Sequence, residues 1–249
     1  MDAGNVMKPN DLFSINIFGL SIPVSDSIVM MWIVMAVLII LSLIFVRNLK
    51  TIPVGKQNAV ELVVDTINNI IKGSIGHHWK SFAPYFGTIL LFLVFANISG
   101  LFSLLPTAEE LYKLTGNEFF ENLPQFAIAA PTKDLNITLG MALMSVVLVL
   151  FAGIRFKGVK GWLHGFLEPS PVMVPFHILD YGTRTLSLSL RLFGNMLAGY
   201  IIVEMLYEAT IFIKPILPLA SFFFDVFDAI LQAYIFVFLS TIYIKEAIE

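Results

Sequence analysis

Seven Asp, Glu and Arg residues lie within the two long apolar segments that close the chain. The first segment, from about Pro175 to Ile213, contains Asp180, Arg184, Arg191, Glu204 and Glu208, and the second, from about Ile216 to Ile244, contains Asp225 and Asp228. A charge at the centre of a bilayer costs about 2.5–3.5 kcal/mol on insertion scales. Residues retained at that cost are expected to face protein or water, and the chemistry they indicate is ion or proton conduction.

A polar stripe follows the first of these segments. At about 100° per residue, Asp180, Arg184 and Arg191 fall on one side of a helix, and Asn195 continues the stripe. Arginine stays protonated at physiological pH, so Arg191 is a permanent cation. No acid stands three or four residues from it, which argues against an ion pair along its own helix.

The remaining acids gather towards the opposite end of the two segments. They are Glu204, Glu208, Asp225 and Asp228. Asp225 shares a helix face with Gln232, seven residues further on. Two polar zones separated by Arg191 predict two offset half-channels, because a continuous pore would dissipate an ion gradient.

Structural roles are equally open for some of these residues. Asp180 and Arg184 have the i,i+4 spacing of an ion pair near the membrane surface. Glu208 can lie at the outer surface, and Asp225 with Asp228 can cap the start of the last helix. At Asp180, Arg184 and Glu208 the sequence alone does not separate a structural role from an ion-conducting one. Phe222-Phe223-Phe224, directly before Asp225, argues for deeper placement of the last two acids.

The composition predicts that a membrane protein positions these groups. Of the 249 residues, 57% are hydrophobic and 13% are charged, whereas soluble domains carry about 25% charged residues. The apolar runs are near-continuous rather than alternating, which excludes a β-barrel and predicts an all-α polytopic fold with five membrane-crossing helices. The spans are expected at about Ile28–Val46, Phe82–Leu105, Leu135–Phe156 and the two closing segments.

One further helix is predicted to be amphipathic and to lie in the membrane interface. The stretch Gln57–Lys72 is polar, yet its apolar residues form a single stripe. They are Val60, Val63, Val64, Ile67, Ile70 and Ile71.

The two closing segments are too long for upright spans. A helix of about 38 residues extends about 57 Å, whereas the hydrocarbon core is about 30 Å thick. No proline interrupts residues 176–213. The two segments are therefore predicted to form a long, strongly tilted helical hairpin.

The loop charges predict the orientation. Five Lys/Arg lie between Arg47 and Lys80 and three between Arg155 and Lys160, whereas the N-terminus and the 106–134 loop are net negative. The positive-inside rule then puts the N-terminus outside and the C-terminus in the cytoplasm. No basic region precedes the first apolar run, so no signal or transit peptide is expected, which favours a bacterial plasma membrane.

The expected organisation has four parts. An outer N-terminal segment (1–26) precedes the first transmembrane helix and the interfacial helix (27–80). A transmembrane hairpin with an acidic outer loop (81–156) follows, and then an inner loop with the tilted hairpin that carries the ion path (157–249).

Other chemistries find little support in the sequence. The absence of cysteine excludes disulfides and thiol catalysis, and the four histidines lack metal-ligand spacing. The chain has no phosphate-binding glycine loop, hydrolase triad or nucleic-acid patch. No cofactor, metal or nucleic-acid partner is expected.

Four motifs resemble those of one known family. The run Leu186–Gly199 (LSLSLRLFGNMLAG) is similar to the signature of subunit a of F-type ATP synthases, and three shorter stretches resemble other motifs of that family. These stretches are residues 132–139, Asn97–Pro106 and Leu231–Phe236. The resemblance extends from about Glu61 to Tyr243, whereas the first sixty residues agree only in hydropathy.

The resemblance implies a stationary, non-catalytic subunit that couples ion flow, most simply of protons, to ATP synthesis. Its expected partners are a rotating c-subunit ring, a b-subunit peripheral stalk, a soluble ATPase head and the lipid bilayer. Arg191 matches the family's essential arginine, which keeps the passing ring carboxylate ionised and prevents a leak. Asn195 and Gln232 match its polar partners, Asp225 matches an outer-channel position and Asp180 an inner acidic position. The candidate ion-translocating residues are Arg191, Asn195, Gln232, Asp225, Asp228, Glu204, Asp180, Arg184 and Ser187.

Tyr200 departs from the family pattern. Many relatives carry an acid or a histidine directly after the Ala-Gly pair, where this chain has Tyr200. We hypothesise that Glu204, one turn further on, supplies the protonatable group together with Asp225 and Asp228.

An independent ion-coupled secondary transporter is the alternative function. Broken helices near the midplane or an inverted internal repeat would favour it, and the sequence shows neither. A purely structural scaffold is a third hypothesis, which does not explain seven Asp, Glu and Arg residues in the last two segments.

Overall fold

A computed structural model describes residues 11–17, 20–47, 49–100, 130–167, 171–208, 219 and 222–248. Within these ranges, strands β1 (Asp11–Ile17) and β2 (Leu20–Ser25) precede a series of α-helices. The helices are α1 (Asp26–Val46), α2 (Lys56–Ile75), α3 (Trp79–Ile98), α4 (Leu135–Leu167), α5 (Val174–Glu208) and α6 (Ala229–Ile248). A π-helical segment, Phe222–Asp228, leads directly into α6.

Five stretches of the described helices are long and apolar enough to cross a membrane. They correspond to α1, α2 with α3, α4, α5, and the π-helical segment with α6. This confirms the predicted helical, polytopic class. The predicted end of the second span and the acidic outer loop, residues 101–129, lie outside the described residues.

The N-terminal β-hairpin is an addition to the predicted fold. β1 and β2 pair antiparallel, with Ile15 opposite Ile22. Apolar and polar residues alternate along Phe13-Ser14-Ile15-Asn16-Ile17, which is the period-2 pattern of a strand. The signal was therefore present, although it is short beside the long apolar runs that follow.

Helix α2 is amphipathic, as predicted, and packs against α3. It ends at Gly76, whose φ of +75° favours glycine and turns the chain back. Ile67 approaches Gly87 of α3, so the two helices run side by side. Ile67, Ile71 and Ile75 are buried in the core, whereas Val63 and Val64 are exposed. Its predicted position in the membrane interface stays a prediction.

Helix α4 matches the third predicted span and then bends sharply. Gly158, with φ of +74° and ψ of 161°, interrupts its helical geometry. Beyond this break Trp162 returns towards Gly153, where an added Cβ would stand 2.8 Å from the Trp162 ring. The helix therefore extends past the predicted end at Phe156, but in a new direction.

Helices α5 and α6 form an antiparallel hairpin. Its open end is where α5 begins and α6 ends, and its closed end is where α5 ends and the π-helical segment begins. Helix α5 has 35 residues and is about 52 Å long, so it exceeds the bilayer core, as predicted. Its tilt in the membrane stays a prediction, and residues 209–218 lie outside the description.

The core lies where α3, α4, α5 and α6 meet, with α2 against one side. Its largest buried side chains include Phe86, Leu93, Leu188, Leu192 and Phe236. Helix α5 contributes only one face, since Leu186 and Leu190 on its opposite face are more than half exposed. The hairpin is therefore anchored on one side and open on the other.

Candidate functional site

Arg191 lies at the edge between the buried and exposed faces of α5. Leu188 and Leu192, on either side of it along the chain, are buried, whereas Leu190 is exposed. Arg191 itself is partly exposed. Among the described side chains none forms a hydrogen bond or ion pair with it. Its positive charge can therefore interact with a group that is not among these described side chains.

One turn beyond Arg191, a polar bridge joins the two helices of the hairpin. Asn195 Nδ2 donates a hydrogen bond of 2.9 Å to Gln232 Oε1. Gln232 is only 1% exposed, so its amide needs such a partner inside an apolar core. The structure therefore brings together two residues that the sequence placed on separate segments.

A three-residue ion cluster occupies the open end of the hairpin. Arg184 Nη2 lies 2.7 Å from Asp180 Oδ2, in the predicted i,i+4 relation. The same guanidinium reaches across to α6, with Nη1 3.0 Å from Glu246 Oε2 and Nη2 3.0 Å from Glu246 Oε1. The ring of Tyr243 covers it, with 4.5 Å between Cζ and the ring centre.

Sequence reasoning missed Glu246 and Tyr243. Glu246 stands 62 residues from Arg184 and close to the end of the chain, where a charge usually indicates a solvated terminus. Only the antiparallel register of α5 and α6 brings the two residues together. An i,i+3 offset places Tyr243 and Glu246 on the same face of α6, which is the one available signal.

A small polar cavity adjoins this cluster. It has a volume of about 150 Å³, and its lining includes Asp180, Arg184 and Glu246 from the cluster. Lys157 and Gly165, on either side of the Gly158 break, line it as well. The bend in α4 therefore completes the cavity wall. Room for several water molecules exists there.

The acids predicted for the other polar zone belong to backbone segments near the closed end. Glu204 and Glu208 belong to the last turns of α5, and Asp225 and Asp228 to the π-helical segment. Asp228 is partly buried. The side chains of Glu204, Glu208 and Asp225 lie outside the described residues.

Gly199 and Gly194 have different surroundings. A Cβ added at Gly199 would lie 3.1 Å from Phe224 Cβ, whereas one added at Gly194 would meet nothing within 4 Å. Gly199 therefore allows α5 to approach the π-helical segment, and Gly194 faces open space. Ser187 is also exposed, away from the buried hydroxyl of Ser189.

Tyr200 contacts the short segment just before α4. Lys133 Nζ stands 3.9 Å from the centre of the Tyr200 ring, a cation–π geometry. The neighbouring Thr132 donates a hydrogen bond of 2.6 Å to Asn97 Oδ1 of α3. The position that departs from the family pattern thus joins α5 to the junction of α3 and α4.

Hydroxyl pairs fix α4 against the hairpin, and sequence reasoning did not single them out. Thr138 and Ser189 are 3.3 Å apart, and Ser145 donates to Ser240 at 2.8 Å. Such bonds between apolar helices favour one rotational setting of α5 and α6. The described residues contain no group of three His, Cys, Asp or Glu side chains arranged for a metal ion.

Comparison with protein families identifies the family of this chain. A family model described as ATP synthase A chain matches residues 28–245. The match excludes the β-hairpin and ends one residue before Glu246, and it includes the other site residues described above. This polytopic protein is therefore a member of the ATP synthase A chain family, a non-catalytic membrane subunit of ATP synthase.

Proposed function

We propose that this chain is the stationary ion-channel subunit of a rotary motor, with two offset proton half-channels that meet a rotating c-subunit ring. The observation that carries the proposal is the isolation of Arg191. It stands on α5 between two separate polar zones, and no described acid pairs with it.

The two zones correspond to the two half-channels. The open end, with Asp180, Arg184 and the polar cavity, forms the inner half-channel. The closed end, with Glu204, Asp225 and Asp228, forms the outer one. Along α5, Arg191 is about 10 Å from Arg184 and about 20 Å from Glu204 at 1.5 Å per residue. A proton therefore cannot cross by direct exchange between the zones and must travel on the ring.

The exposed face of α5 suits a passing helix of the ring. Leu186, Leu190 and Ala198 are exposed, and Gly194 between them has no close neighbour. Small residues allow helices to approach closely in membranes. Arg191 lies at the edge of this face, where its charge favours the ionised form of a ring carboxylate that arrives there. Asn195 and Gln232 orient the adjoining surface through their hydrogen bond.

Family membership supports the other assignments. It favours a subunit of a complex over an independent secondary transporter. The c-subunit ring, the b-subunit stalk and the soluble ATPase head are then its partners. We place the chain in a bacterial plasma membrane with the N-terminus outside and the C-terminus in the cytoplasm, on the basis of its loop charges.

The decisive experiment replaces Arg191. In vesicles containing the complete synthase, we expect Arg191→Ala to abolish ATP-driven proton pumping and to allow a passive proton leak, because the barrier between the half-channels is lost. Arg155→Ala removes an equal charge from an exposed position on α4 and serves as the control. Coupled pumping by Arg191→Ala at the level of this control would refute the proposal.

A purification separates the two functional classes. The natively purified chain is expected to copurify with an oligomeric ring and a soluble ATPase. Solute transport by the isolated chain in liposomes, without these partners, would instead support a secondary transporter.

A further inference from the structure

Glu246 is the one acid of the open-end cluster that comes from α6. Both of its carboxylate oxygens contact the Arg184 guanidinium at 3.0 Å, one to each terminal nitrogen. This two-point geometry fixes direction as well as distance. Asp180, by contrast, lies on the same helix as Arg184 and approaches Nη2 at 2.7 Å.

We propose that Glu246 is a positioning residue of the inner half-channel, which holds the Arg184 guanidinium against α6 and so keeps the adjoining cavity open to ions. The inference rests on the function proposed above, to which it adds Glu246 and its role in positioning Arg184.

Burial explains why Arg184 needs this second carboxylate. The Arg184 side chain is only 16% exposed, whereas Asp180 and Glu246 are 48% and 61% exposed. The cation is therefore the desolvated member, and it depends on its partners, while the two acids retain water. A partly buried charge that loses a partner either moves to a new position or destabilises the folded protein.

The cavity is the space into which a released guanidinium can move. It lies directly beside Arg184 and has a volume of about 150 Å³. A mobile arginine there would occupy volume used by water and would place a positive charge in the path of a cation. The two carboxylates and one guanidinium carry a net charge of −1, and Lys157, which also lines the cavity, brings the charge of the lining to zero. Loss of Glu246 therefore leaves the cavity with a net positive charge.

The test uses the complete synthase in inverted vesicles and measures ATP-driven proton pumping. We expect Glu246→Gln to lower pumping about tenfold and Glu246→Asp, which keeps the charge, to retain most of it. Asp65→Asn, an exposed acid on α2, is the matched control. The double variant Arg184→Gln/Glu246→Gln should recover much of the loss, because the released cation rather than the missing carboxylate blocks the exit.

A second measurement reports on the cavity itself. The chain has no cysteine, and a Cβ added at Gly165 meets nothing within 4 Å. Gly165→Cys is therefore a clean probe of the cavity wall. A membrane-impermeant maleimide on the cytoplasmic side should label it more slowly in Glu246→Gln than in the parent, and at the parent rate in the double variant.

Two results would overturn the inference. One is pumping by Glu246→Gln equal to that of Asp65→Asn. The other is a pumping defect that the double variant does not relieve, since a simple helix clamp or a direct ion ligand behaves in that way. If Glu246→Gln does not assemble with the ring, the same comparison passes to Glu246→Ala, whose unchanged pumping and labelling would then count against us. Arg191→Ala tests the underlying function separately, so either proposal can fail alone.

Discussion

Arg184 and Arg191 carry the same charge on the same helix, yet their surroundings differ. Arg184 is held by Asp180 and Glu246 and covered by the ring of Tyr243. Arg191 has no such contact among the described side chains. A guanidinium between two carboxylates is already neutralised locally, whereas an unneutralised one attracts a carboxylate from another subunit. This difference supports the proposed roles, in which Arg184 is held in place at the inner half-channel and Arg191 is the barrier.

The outer acids provide a prediction at the residue scale. We expect Glu204→Gln, Asp225→Asn and Asp228→Asn to slow proton-driven ATP synthesis, with at least one falling on the order of tenfold or more, since a lost proton relay removes a large rate factor. Asp65→Asn is again the control. Three variants that synthesise ATP at the control rate would show that the protonatable group lies elsewhere.

Tyr200 fits this prediction. Its ring is engaged by Lys133 at 3.9 Å, so the position has a packing task. The proton-carrying task then falls to neighbouring acids, which is the hypothesis that the sequence suggested.

Residue spacing predicted part of the site and missed the rest for a clear reason. The i,i+4 pair of Asp180 and Arg184 follows from local geometry, and its 2.7 Å contact is present. The contact with Glu246 depends on how two helices align across 62 residues, which no local pattern encodes. Asn195 and Gln232 were each matched to a polar partner of Arg191 through a family resemblance, and their hydrogen bond to each other was not predicted.

At the scale of elements, the two glycines of α5 allow a matched comparison. Gly199→Val is expected to destabilise the chain by about 1–3 kcal/mol through overpacking, because its Cβ would press on Phe224 at 3.1 Å. Gly194→Val makes the same change in helix propensity, but its Cβ meets nothing within 4 Å. Thermal unfolding of the two purified variants should therefore differ, with Gly199→Val lower. Equal midpoints would show that the contact with the π-helical segment is not tight.

Element types were easier to predict than element details. Apolar runs predicted the spans, since length and hydropathy are local properties, whereas loop charges predicted only the orientation. The bend at Gly158 was not predicted because a glycine inside a helical pattern is often tolerated. The π-helical segment has no sequence signal of its own. The β-hairpin did have one, in the alternation from Phe13 to Ile17, but it was overlooked beside the longer runs.

At the scale of the whole molecule, the cysteine-free chain allows its orientation to be tested. Single cysteines at Asn16, Ile52 and Val172 would occupy exposed positions in β1 and in the segments after α1 and α4. We expect an impermeant maleimide to label Asn16→Cys only from the outer side and the other two only from the cytoplasmic side. The reverse pattern would exchange the two half-channels.

The one-sided burial of α5 also matters at this scale. Leu188, Leu192 and Met196 pack into the chain's own core, whereas Leu186 and Leu190 are left exposed. One face of α5 is thus held by the protein's own core while the opposite face stays free. The proposed role beside a rotating ring needs both properties.

The π-helical segment has a consequence for the solvation of the backbone. A π-helical turn bonds each N–H to the carbonyl five residues back, and an α-helical turn to the carbonyl four back. Where Asp228 gives way to Ala229, the change in pattern skips one carbonyl oxygen. At membrane depth such an oxygen must be met by protein or by water in a cavity, never by lipid. The side of the irregular turn that carries this oxygen is therefore expected to face protein or water, whereas the exposed rings of Phe222, Phe223 and Phe227 suit lipid or another subunit.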